Sequence, residues 1–192
     1  MIYGWSPTIG DPGILGWVTV LAYFGTAAVA YLAAVDARRQ ALMRSATYYY
    51  WFRTRRFWMF LAILLTGLGI NKQLDLQSLL TAVGRHLAKE QGWYAERHGT
   101  QRAFIISVVV AGAALTASML MIVRKLDHWV KLAGAGLVIL VSFIIIRAAS
   151  FHHIDVVLRA GLAGFRINHV LELGGISLIA VAAICSAKRE PR

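Results

Sequence analysis

The residues able to do chemistry crowd into two short stretches. His152 and Asp155 stand three apart with His153 beside them, and His169 and Glu172 repeat the same His-x-x-acid spacing a little further on. Positions three or four apart share one face of a helix, so each pair can aim at a single point. Neutral imidazoles with an oxygen ligand suit Zn²⁺, which lowers the pKa of bound water enough to make it a nucleophile. On this reading His152, His153 and His169 are the metal ligands, and Asp155, Glu172 and Asp75 are the carboxylates for acid–base work. Arg147 and Lys72, with Asn71, Arg97 and Asn168, would hold an anionic or polar headgroup. The pattern is loose, because no HExxH or other tight ligand motif occurs.

Three other chemistries use the same residues. Histidines on two helices can ligate a haem b iron from both sides or hold a quinone headgroup, and the lack of CxxCH excludes covalent haem. A non-catalytic subunit would use the polar end to bind a lipid or a partner, including a second copy of the chain. The plainest account is structural: Lys72 or Arg147 neutralises Glu172 in a buried ion pair that fixes helix register.

The elements that must position these groups are membrane helices. Of 192 residues, 58% are hydrophobic and 15% charged, and mean hydropathy is +0.61. Soluble domains carry about 25% charge, so a soluble domain, a disordered tail and a disulfide-stapled secreted protein are all excluded. The net charge of +11 does not signal nucleic acid. The basic residues fall between apolar blocks, as charges that orient helices and attract anionic lipid headgroups do. The lone Cys185 reads as a small packing residue.

Five spans are expected, at about 14–35, 57–76, 103–123, 132–151 and 167–187. Leu76, Leu79, Leu80, Val83 and Leu87 recur at helical spacing and predict an external amphipathic helix over about 76–91, ended by Gly92. The expected fold is therefore an all-α membrane bundle of five transmembrane helices plus one external amphipathic helix, in a single domain. Twelve Lys and Arg residues fall on one side of these spans and eight on the other. This bias favours an outside amino terminus and a cytoplasmic carboxyl terminus. The aromatic run Tyr48–Phe52 reads as an interface anchor.

Spans two, four and five share one peculiarity. Each has a short apolar run and then turns polar while still at bilayer depth. Counted from inner ends at Phe57, Leu132 and Ala187, Lys72, Arg147 and Glu172 each fall about 22 Å along the helix, and Asp75, Ser150 and His169 about 27 Å. Such groups should point into the bundle, because leaving them in lipid costs several kcal/mol each. Spans one and three, free of charge, read as ordinary lipid-facing or packing helices.

The strings Gly69-Ile-Asn-Lys-Gln-Leu-Asp-Leu-Gln77, Gly92-Trp-Tyr94, Arg147-Ala-Ala-Ser-Phe-His-His-Ile-Asp155 and Leu171-Glu-Leu-Gly-Gly175 resemble those of a family of small polytopic bacterial inner-membrane proteins. The likeness covers most of the chain. It implies a bacterial inner membrane as the location and brings no reaction with it.

Overall fold

The computed structural model describes residues 12–43, 48–74, 82–83, 86–87, 90, 97–149, 161–162 and 165–188. Five long helices dominate: α1 (Ile14–Met43), α2 (Tyr48–Leu74), α3 (Arg97–Val123), α4 (His128–Ala149) and α5 (Ile167–Ala187). Before α5, β1 (Gly161–Leu162) and β2 (Phe165–Arg166) pair antiparallel, Leu162 opposite Phe165. Helical backbone at residues 82–83, 86–87 and 90 falls within the expected amphipathic helix, and His86 Nε2 lies 3.1 Å from Glu90 Oε1 one turn on. The rest of that segment lies outside the described residues.

Four helices are long and apolar enough to cross a membrane: α1, α2, α4 and α5. The described apolar stretch of α3 is shorter, Val109–Met119. Several helices outrun their apolar spans. The segment from Asp36 to Arg56 was expected as a loop, but α1 continues to Met43 and α2 begins at Tyr48. The residues Asp36–Met43 are mostly Ala, Arg, Gln, Leu and Met, strong helix formers that carry the helix past the apolar boundary. The aromatic run Tyr48–Phe52 is accordingly helical.

Helix α1 packs against both α2 and α5; α4 packs against α5 and carries α3 on its other side. The α1–α2 seam joins small residues to large ones. Ala27, Ala30, Ala34, Ala37 and Ala41 are buried along one stripe of α1, and Phe57, Trp58, Leu61 and Leu65 are buried on α2. Their spacing of threes and fours is that of a helix-packing stripe, and alanines let a neighbouring backbone come close. At Gly69 the sizes reverse. A Cβ built there would lie 3.1 Å from Tyr23 Cβ and 3.3 Å from the Phe24 ring. Helices α4 and α5 cross on a pair of glycines: a Cβ at Gly136 would meet Gly175 O at 2.8 Å, and one at Gly175 would meet Gly136 O at 3.0 Å. No side chain fits between those backbones.

Candidate functional site

The glycine contacts fix how residues on different helices line up. Gly69 opposite Tyr23 and Phe24 brings the turn of α2 holding Lys72 to the level of Tyr23 on α1. Tyr23 is nine residues into α1, about 14 Å along its axis. The expected first span, 14–35, is about 33 Å long, so this level lies well inside it.

Three helices place a polar side chain there. Lys72 Nζ donates to Glu172 Oε2 at 2.9 Å and to Oε1 at 3.3 Å. Tyr23 Oη donates to Glu172 Oε1 at 3.1 Å. The pair is deeply buried, with side-chain exposures of 8% for Lys72 and 3% for Glu172. An isolated charge at this depth carries a desolvation cost of several kcal/mol. The arrangement offsets it: opposite charges meet at contact, and the carboxylate accepts from two donors. The cluster ties α1, α2 and α5 together at one height.

Lys72 and Glu172 are thus the two expected site residues that the structure brings together. Their bonding also changes what they can do. A carboxylate accepting from an ammonium and a phenol is occupied, and so is the ammonium. Neither is a free charge for a substrate. Asn71, at the same level, is exposed and faces away from the cluster. His169 lies one turn from Glu172 toward the start of α5 and is half-buried.

The remaining candidates are placed by backbone or not at all. Arg97, Arg147 and Asn168 lie within α3, α4 and α5, and their side chains are outside the described residues. The α4–α5 crossing sets Glu172 level with about residue 141 of α4, so Arg147 stands about 9 Å further toward the polar end. The sequence reading had put the two in one layer. Apolar-run length, which it counted, measures fit to the bilayer; the register is set by where two glycines let the helices touch. Asp75, Ser150, His152, His153 and Asp155 lie outside the described residues. Among the described residues, no group of three or more His, Cys, Asp or Glu could hold a metal ion.

Two residues of this region were missed in the sequence. Tyr23 sat in a span read as ordinary packing. The signal was its hydroxyl, since a buried phenol needs a partner. The other is Gln73, next to Lys72. Its side-chain nitrogen and oxygen are both buried, and neither has a hydrogen-bond partner among the described residues. A buried polar group left unmatched costs about 1–3 kcal/mol. The only other such atom among the described side chains is Trp58 Nε1, in the apolar α1–α2 seam.

Comparison with family models, with curated proteins and with solved structures finds no match.

Proposed function

We propose that this chain is an integral protein of a bacterial inner membrane that binds a lipid or lipid-linked molecule at the polar end of α2, α4 and α5. The observation that carries the reading is the Gln73 amide. It follows Lys72 in α2 and is buried with both a donor and an acceptor unmatched among the described residues. A headgroup hydroxyl or amide that entered by parting the side chains covering it would satisfy both. The Tyr23–Lys72–Glu172 cluster is the floor beneath it, holding three helices at fixed height while contributing no free charge. By backbone, Arg147 and Asn168 lie one to two turns nearer the polar end, with His169 between them and the floor, and they are the groups that would meet the rest of the headgroup. On the expected orientation this end faces the periplasm.

The test separates binding from stability. Gln73→Leu removes two unmatched polar atoms while keeping bulk, so the variant should unfold in detergent at the same temperature as the parent or higher. Lipid that co-purifies with the parent, read by native mass spectrometry, should be lost from it. Retention of the same lipid at the same occupancy would contradict the reading. So would loss of stability, which would mean the amide is satisfied in the native protein.

A further inference from the structure

One polar side chain of α2 stands on the outside of the bundle at bilayer depth. Asn71 is exposed and has no hydrogen-bond partner among the described residues. Counted from Phe57, it lies about 21 Å along the helix. The hydrocarbon core is about 30 Å thick, so this carboxamide is about 9 Å short of its outer edge. Lys and Arg reach the headgroups from such a depth along their stems. Asn has a single methylene and does not.

The face that carries Asn71 is otherwise apolar. Ile63, Gly67, Ile70 and Leu74 recur with it at helical spacing, and all are exposed. Gly67 lies about 160° around the helix from Gly69, which meets α1, so this face points away from α1. A Cβ at Gly67 would have nothing within 4 Å. Gly69, Gly112, Gly136 and Gly175 each have a neighbour within 3.3 Å, and packing inside one chain accounts for them. Gly25 and Gly174 are open as well, but only Gly67 has an exposed carboxamide one turn away.

We infer that a second copy of the chain docks on this face, α2 against α2, with the two Asn71 carboxamides hydrogen-bonded across a two-fold axis along the membrane normal. Lipid tails offer neither donor nor acceptor at this depth. A carboxamide carries both, so it complements itself: each Asn71 Nδ2 donates to the other copy's Oδ1. A two-fold axis through the pair makes both bonds from one residue and keeps both copies in the same orientation. Gly67 lets the backbones come close enough for short side chains to meet, as small residues do at membrane helix crossings. Ile63, Ile70 and Leu74 supply apolar contact around them, and no charge lies between Phe57 and Asn71 to oppose it. Gln73 is not on this face, so docking here is independent of ligand binding at the polar end.

Sedimentation equilibrium of the full chain in density-matched detergent, over a range of protein-to-detergent ratios, tests it. The parent should pass from monomer to dimer as the ratio rises. Asn71→Ala loses both hydrogen bonds and should weaken the dimer by about tenfold or more. Asn71→Gln keeps the carboxamide and should weaken it less. Gly67→Leu holds the backbones apart and should abolish the dimer. At low protein-to-detergent ratio, where each copy is alone, all three variants should unfold as the parent does. A parent that stays monomeric at every ratio overturns the inference, whether lipid or a different protein then covers the face. So does a dimer that Asn71→Ala and Gly67→Leu leave unchanged.

Discussion

At one level of the α1–α2 pair, a lysine, a glutamate and a tyrosine from three helices meet within 3.3 Å. About 22 Å along the same seam, Arg38 and Arg39 of α1 stand level with Arg53, Arg55 and Arg56 of α2, with Asp36 among them. The first cluster lies inside the apolar span and the second beyond it. This difference sets the chemistry of each. Inside, a charge needs its counter-charge on the protein, because lipid offers none. At the headgroup level the membrane supplies the counter-charge, and like charges can gather. Between the two, the seam is apolar, alanine against large side chains.

The largest expected effect breaks the inner cluster. Lys72→Met takes the counter-charge from the buried Glu172, and should destabilise the protein by about 3–5 kcal/mol. Chemical or thermal unfolding in detergent reads this directly; a loss below about 1 kcal/mol would mean the pair is solvated. Gly136→Ala comes next. The new methyl has backbone at 2.8 Å and Ile179 Cγ1 at 2.9 Å, so α4 and α5 must move apart, at a cost of about 1–3 kcal/mol. Tyr23→Phe removes one donor to a charged acceptor and should cost about 1.5–3 kcal/mol, the low end applying because Lys72 remains. Its Cβ, the atom that faces Gly69, is unchanged, so the helices should not shift. Asn71→Ala, on an exposed position, should change stability by less than about 0.5 kcal/mol. A large effect there would place Asn71 in a contact the structure does not show.

Much of this architecture was legible in the sequence, for identifiable reasons. Unbroken apolar blocks announce spanning helices, and four satisfy length and composition in the structure. The ion pair was open to the reading as well, because a lysine and a glutamate at similar distance from their helix ends have few ways to be buried apart. Helix ends were less legible. Hydropathy records where a helix leaves the apolar layer, and Asp36–Met43 and Tyr48–Arg56 continue as helix after that point. The level of Arg147 was misjudged because packing between Gly136 and Gly175, invisible to residue counting, sets how α4 and α5 slide. Tyr23 and Gln73 were passed over because each looks ordinary alone. One matters through a bond to a residue 149 positions away, the other through the lack of any.

The central claim is that Lys72 and Glu172 neutralise each other inside the membrane span and thereby hold α2 to α5. A double-mutant cycle tests it most directly, with unfolding free energies for the parent, Lys72→Met, Glu172→Gln and the two combined. The account predicts that each single change is strongly destabilising and that the double variant recovers to within about 1 kcal/mol of the parent, since two neutral groups leave no unpaired charge. Two single effects that simply add would contradict it.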